Sequence, residues 1–501
     1  LKLAPPDRNT YAPRADRFAH AAPLQRLVAF AAGLALLHGC ATVAPPMAVP
    51  PRIEVPAAWS VADAAAAQGA TSLAQWWLRF DDPLLATLVS QAALANTSVR
   101  SAQAALRQAR AQRDVTAAGL LPTLGSSASA QRNRSSDGEA GNTFRAGLDA
   151  SWELDIFGAN RSGLEASDAA ARASAANLGA VHVSIAAEVG LAYIGLRGAQ
   201  GRLAIAESNL AIQRETLQIT QWRLQAGLVT ELETEQARAS VEQTRAQIPA
   251  LQTSIDQARH ALAVLTGRPP AALAATLAAS APVPQVTGNL VLSIPAETLR
   301  QRPDVLFAEQ QATAALARVA QADRARAPSF KLSGSLGLSA LTLGTLATGP
   351  ALAGALLAGV SWPIFDGGAG LAQVRVQQAA LEQSQAAYHA AVLTALKDVE
   401  DALVALRGDR ERLARLQQAA DAAASAALLS RQRFASGLVD FQVVLETQRT
   451  QLSTEDGVAS ARADLGADHV RLYKALGGGW RPESVDAAPA LTQDSPRNTR
   501  P

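Results

Sequence analysis

Residues 196–230 read LRGAQGRLAIAESNLAIQRETLQITQWRLQAGLVT, and this stretch decides the fold. Leucines recur at every seventh position, Leu196, Leu203, Leu210, Leu217 and Leu224, while Ile205, Ile212 and Ile219 repeat that spacing two residues on. Two residues lie about 200° apart on a helix of roughly 3.6 residues per turn, so the stripes fall on nearly opposite faces. A surface helix of a globular protein carries one apolar stripe and a two-stranded coiled coil one seam. Two stripes predict a neighbour on each side, as in a wall of rods. At about 1.5 Å per residue, the run from Asn160 to Ala226 makes a rod of roughly 100 Å, longer than a compact core.

Working outward, Gly227-Leu228-Val229 breaks the rod and turns the chain back. Val241, Ile248, Ile255 and Leu262 continue the heptad spacing down a return helix, within which Pro249 removes a donor and predicts a bend. Gly267, Pro269 and Pro270 end it. The whole unit then recurs. Arg197-Gly198 matches Arg407-Gly408, Gly227-Leu228-Val229 matches Gly437-Leu438-Val439, Gly267 matches Gly477 and Trp152 matches Trp362, each 210 positions later. The chain is a tandem duplication.

Ahead of each helical hairpin the period changes from seven to two. In Thr143 to Asp155, Phe144, Ala146, Leu148, Ala150, Trp152 and Leu154 alternate with polar residues or glycine, which predicts a strand with one greasy and one wet face. Its weaker partner is Thr123 to Arg132, with Arg132 to Gly141 as the turn. In the second copy Phe330, Leu332, Leu336 and Leu338 carry the alternation out, and Leu352, Leu356, Val360, Trp362 and Ile364 carry it back. Strands of about ten to twelve residues suit a tilted membrane crossing. Four strands fall short of the roughly eight a barrel needs, and an open sheet edge is not viable in lipid. The chain must therefore oligomerise. A dimer closes eight strands around a filled interior, whereas a trimer closes 12 and leaves a lumen.

Composition agrees with thin, elongated packing: 49% of 501 residues are apolar, but only 4% are aromatic. Alanine-rich helices pack closely without a thick core. The formal charge of +2 comes from the first 39 residues, which hold five basic and two acidic groups; the remainder has 40 against 41. Nucleic-acid binding has no electrostatic basis. Those first residues read as an export signal, since Arg26 precedes an apolar run, Leu27 to Leu37, too short to span a bilayer. Leu37-His38-Gly39-Cys40 resembles the bacterial lipobox, with His38 departing from its usual small residue. Cys40, the only cysteine, is then the expected lipid attachment point, and Ala41 after it implies the outer membrane. The six histidines are scattered, Gly477-Gly478-Gly479 reads as a helix terminator, and Glu231, Glu233 and Glu235 suit the first turns of a helix. No catalytic residue, metal ligand or cofactor is expected, and the chain does not read as an enzyme.

A family resemblance rests on Trp77 with Phe80-Asp81-Asp82-Pro83-Leu84, Asn96, Trp152-Glu153-Leu154-Asp155-Ile156-Phe157-Gly158, Leu299-Arg300-Gln301-Arg302-Pro303-Asp304-Val305 and Trp362-Pro363-Ile364-Phe365-Asp366-Gly367-Gly368. With the two Gly-Leu-Val breaks, these make residues 44–480 resemble a TolC-type outer-membrane efflux channel of the acylated class. The resemblance implies a mainly α fold with membrane β: a homotrimer whose long hairpins form a periplasmic α-barrel and whose strands, four per chain, form a 12-stranded barrel in outer-membrane lipid. It also implies passive export of small toxic compounds with a periplasmic adaptor and an inner-membrane pump. Arg223, Gly227, Leu228 and Val229, with Arg433, Gly437, Leu438 and Val439, resemble the adaptor-contacting tips, and Asp440 stands where related channels place gating acids. The expected division is a signal and leader at 1–39, an anchor and strap at 40–81, a first repeat at 82–268 (β-hairpin 120–156, helical hairpin 159–266), an equatorial linker at 269–301, a second repeat at 302–478 (β-hairpin 328–365, helical hairpin 367–476) and a disordered tail at 479–501. Two alternatives share much of this pattern: a type I secretion channel for polypeptides, and a coiled-coil periplasmic adaptor or scaffold without a channel.

Overall fold

The computed structural model describes residues 55–60, 73–134, 140–286, 295–346 and 352–480. Cys40, the export signal, most of the strap and the tail beyond Trp480 lie outside the described residues.

The elements in order are α1 (Pro83–Ala95), α2 (Thr97–Ala118), β1 (Thr123–Arg134), β2 (Ala140–Leu154), α3 (Ala159–Gln225), α4 (Glu231–Leu265), α5 (Pro295–Gln301), α6 (Pro303–Arg324), β3 (Ser329–Ala340), β4 (Leu352–Ser361), α7 (Ala369–Ala435) and α8 (Phe441–Ala475). The duplication holds element by element. The long helices α3 and α7 have 67 residues each, α4 and α8 have 35, α2 and α6 have 22, and β1 and β3 have 12.

Each helical hairpin reverses at a glycine held at positive φ, 71° at both Gly227 and Gly437. There the Leu228 N–H reaches back to the Arg223 carbonyl at 2.8 Å, and the Leu438 N–H to that of Arg433 at 2.9 Å. This closes the last turn in a left-handed cap that a side chain at the glycine would strain. Helix α4 continues through Pro249 without a break in the assigned helix.

The four strands form one antiparallel sheet in the order β1-β2-β3-β4. The register aligns Leu148 with Leu336 and Trp152 with Leu332, and Phe330 with Val360, so the alternating apolar positions of β2, β3 and β4 share one face, with Leu357 on the other. Two expected boundaries shift. Arg132, Asn133 and Arg134 pair with Asn142, Gly141 and Ala140, so the ladder takes in both ends of the predicted turn: backbone pairing outweighs the turn preference of Asn and Gly. In the other hairpin β4 stops at Ser361, because Pro363 has no N–H to offer a ladder.

Helix α3 packs on α2, α4, α6 and α8. Its contact with its neighbours is thin, through Ala166, Ala169, Ala173 and Ala176, all at most 4% exposed. The thickest core sits mid-way along the long helices, where Trp76 stacks on Tyr473 at 5.4 Å and Leu85, Leu196, Leu262 and Leu273 are buried. Among the described residues only α3 contains a stretch apolar enough to cross a membrane, and 56% of it is buried against protein, as in a core helix.

Within the chain, the second contact of α3 is not made by the isoleucine stripe. Ile205 and Ile212 are half-buried and Ile219 is 38% exposed. Instead Arg202, Asn209, Thr216 and Arg223, also seven apart and directly preceding the leucines, face the second repeat. Arg202 pairs with Asp456, Asn209 donates to Glu455 at 2.8 Å, and Gln448 donates to the Thr216 hydroxyl at 2.9 Å. A heptad of polar groups holds this seam because each finds a complementary partner across it.

Candidate functional site: hairpin tips, sheet faces and joints

At the hairpin tips, Arg223 lies over the Phe434 ring at 4.3 Å and donates to the Phe434 and Ala435 carbonyls, so the first tip caps the last turn of α7. Phe434 packs on Phe441 at 5.4 Å inside a small cluster with Ala237, Val444 and Leu445, against which Leu217 and Val439 rest. Glu233 closes a capping box on Thr230, which gives that acid a local structural role. The sequence-predicted residues divide at this end. Val229 and Val439 are half-buried and Arg223 is engaged, while Arg433, Gly227, Gly437 and Asp440 are exposed and Leu228 and Leu438 are each 73% exposed. Two leucines held out to solvent on rigid caps form a repeated apolar knob.

The sheet has two unlike faces. One carries Leu148, Trp152, Leu336, Leu352, Leu356 and Val360, all exposed within the chain. At its helical end the Trp152 indole donates to the Leu120 carbonyl at 3.0 Å and the Trp362 indole to that of Arg326 at 3.2 Å. Tryptophans with an apolar body and an anchored N–H suit a bilayer boundary. The other face bears Thr123, Ser127, Asp149, Ser151, Ser333 and Ser335. Among the described residues, strands β1 and β4 pair on one side only.

Comparison with known proteins decides the family. The model for "outer membrane efflux protein" matches twice, over residues 88–268 and 294–478. The chain is 32% identical over 464 residues to the pyoverdine export outer membrane protein OpmQ of Pseudomonas aeruginosa, covering 89% of this chain and 95% of that one. It is 29% identical to the probable outer membrane lipoprotein SilC of Salmonella typhimurium over 89% of this chain and 97% of that one. Among solved structures, the outer-membrane channel OprN superposes with a TM-score of 0.79 at 36% identity, covering 87% of this chain and all of that one. The chain belongs to the outer membrane efflux protein family. It is an outer-membrane efflux channel.

In this efflux channel the repeats are assembled through two joints where a short helix continues a long one. At the first, Asn96 caps α2 by accepting from the Ser98 N–H at 2.8 Å while donating to the Leu265 carbonyl at the end of α4. Gly267, φ 70°, lies so close to Ala95 that an added Cβ would stand 2.5 Å from its carbonyl oxygen. At the second joint Arg302 donates to the Ala475 carbonyl at the end of α8 and to that of Ala395 in α7, and pairs with Asp304 and Asp398. Burial works to raise the Asp304 pKa, but the Arg302 bonds and charge prevail and hold it below the ordinary value. The Arg-Pro-Asp motif thus locks α6 onto α8. Pro303 and Asp304 form the first turn of α6, and the arginine before them has no local pattern that would reveal in the sequence its role at α7 and α8.

A second feature hidden in the sequence is the efflux channel's carboxyl pair. Asp468 in α8 is 2% exposed; one oxygen accepts from Arg471 at 2.6 Å and the other has no donor. Burial first, and then the neighbouring Asp409 of α7, push the Asp468 pKa up to about 6. A buried carboxyl with too few donors and a second carboxyl nearby holds its proton more readily than a free one. Beside them His469 gives its Nδ1 to the Leu465 carbonyl at 2.8 Å, and burial lowers its pKa.

Proposed function

We propose that three copies of this chain assemble the exit duct of a tripartite efflux system, through which small toxic compounds pass passively from periplasm to exterior. One observation carries this reading: a four-stranded sheet with an apolar face and two edges that no strand among the described residues pairs. In lipid such edges must pair with other strands, and three sheets closed edge to edge make 12 strands with a lumen. The isoleucine stripe of α3, half-exposed in the chain, faces the cavity or a sister helix in that ring. Leu228, Val229, Leu438 and Val439, with Gly227, Gly437, Arg223 and Arg433, are the surface offered to a periplasmic adaptor, which an inner-membrane pump engages in turn. Asp440, three copies about one axis, forms an acidic constriction at the periplasmic mouth that can bind cations. Cys40 carries the lipid anchor, in keeping with the lipoprotein name of the SilC relative. The chain acts as a conduit and carries out no reaction.

The small-molecule reading is preferred to polypeptide secretion because the OpmQ relative is named for pyoverdine export. Deleting the gene and challenging cells with antibiotics, dyes and metals tests it: the deletion is hypersensitive to several of them, and only the unaltered gene restores tolerance. Leu228→Asp with Leu438→Asp leaves assembly intact, abolishes adaptor capture and fails to complement. An unchanged sensitivity profile in the deletion contradicts the export role, and full complementation by the tip variant contradicts the docking role.

A further inference from the structure

We propose that Asp149 is the cation-selecting residue of the channel's transmembrane lumen. This rests on the trimeric channel reading above and concerns the face of the sheet opposite the tryptophans. The register lays that face out in rows. Asp149 shares its row with Gly125, Ser335 and Ala355; the next row toward the β1-β2 turn holds Ser127, Gly147, Gly337 and Ala353; the next toward the helices holds Thr123, Ser151, Ser333 and Leu357. Among these twelve residues Asp149 bears the only charge. Apart from Leu357 no neighbour is long enough to cover it.

Its surroundings support the carboxylate without cancelling it. The Ser127 hydroxyl donates to it at 3.0 Å, and among the described residues no lysine or arginine pairs with it. It opens on a recess of about 350 Å³ whose wall includes Ser151, Ser333, Ser335, Ala355 and Leu357. Hydroxyls and one apolar side chain around a lone carboxylate suit brief residence of a monovalent or organic cation, weak enough for it to leave.

The other charges of this face lie further along. Glu153 stands directly opposite Lys331, so that row is neutral, and Arg145 lies opposite Ser339. Arg145 and Glu153 each stand four positions from Asp149, or about 13 Å at roughly 3.3 Å per residue. That exceeds the Debye length of about 8 Å at physiological salt, so the Asp149 layer is felt by a passing ion as negative, ahead of a separate positive layer at Arg145. Three copies about the lumen reinforce it.

The test uses the full chain in planar bilayers under a potassium chloride gradient, reading the cation-over-anion permeability ratio from the reversal potential. It is run in both the wild-type and the Asp440→Ala background, so that the field at the periplasmic mouth does not mask the barrel. Asp149→Asn lowers the ratio about threefold at 0.1 M salt, and the effect shrinks at 1 M as screening shortens the field. Arg145→Gln moves the ratio the other way. A ratio unmoved by Asp149→Asn in both backgrounds, or moved equally at both salt concentrations, overturns the assignment while leaving the channel intact. A wild-type chain that conducts no current overturns the channel reading itself.

Discussion

Asp468 shows how a single side chain can report on the wall of the duct. Its pKa is raised to about 6 from an ordinary value near 4, so the folded protein holds this proton more tightly than the unfolded chain. The stabilisation from that proton is therefore fully present below about pH 4 and is lost as the pH rises through 6. Asp155, Asp304 and Asp366 act in the opposite sense: backbone N–H groups or an arginine hold them below the ordinary value, and their contribution is lost only in stronger acid. The windows separate. Asp468→Asn is expected to flatten the thermal stability between pH 4.5 and 6.5, where the unaltered protein loses on the order of 1 kcal/mol on going up; a parallel pH profile in the two proteins counts against the carboxyl pair. Asp440 is the complementary case, exposed and uncapped at the start of α8. Asp440→Ala is expected to raise single-channel conductance by removing the carboxylates that form the constriction, and an unchanged conductance rejects it as a gate.

At the scale of elements, the periodicities that mark helix and strand were legible because each is imposed by burial on one face. The reversal at Gly227, the matching one at Gly437 and the 210-residue offset could be placed to the residue, since glycine alone accepts positive φ there cheaply. The polar seam at Arg202, Asn209, Thr216 and Arg223 is not legible in the sequence, although it has the same spacing as the leucines. A polar heptad looks like a solvated face until its partners, here Glu455, Asp456 and Gln448 in another repeat, are known. Arg302 was opaque for the same reason: its acceptors, Ala395, Asp398 and Ala475, are distant in sequence. Removing it strands two carbonyls and leaves Asp304 and Asp398 without their cation. Arg302→Ala is expected to cost about 3 kcal/mol and to lower the melting temperature of the assembled protein by several degrees. A loss under about 0.5 kcal/mol would mean the α6-α8 joint is held by packing alone.

For the whole molecule, the governing fact is incompleteness. The chain supplies both halves of a repeat, a sheet with an apolar face and two free edges, and tips that repeat the same apolar knob, and among the described residues nothing covers them. The strand number implies sister chains but not the partner of each edge, since the stagger between neighbouring sheets is set by atoms outside one chain. Within a chain β1 and β4 are three strand spacings apart, about 14 Å, beyond the roughly 7 Å limit between Cα atoms that a disulfide can bridge. In a Cys40→Ser background, Ser127→Cys in β1 is therefore combined in turn with Ala353→Cys, Ala355→Cys and Leu357→Cys in β4, and the protein is oxidised in outer membranes and run under non-reducing denaturing conditions. Edge-to-edge closure predicts that at least one combination yields a covalent species of three chains and nothing larger; single chains throughout the set, or a ladder ending at two, would contradict it.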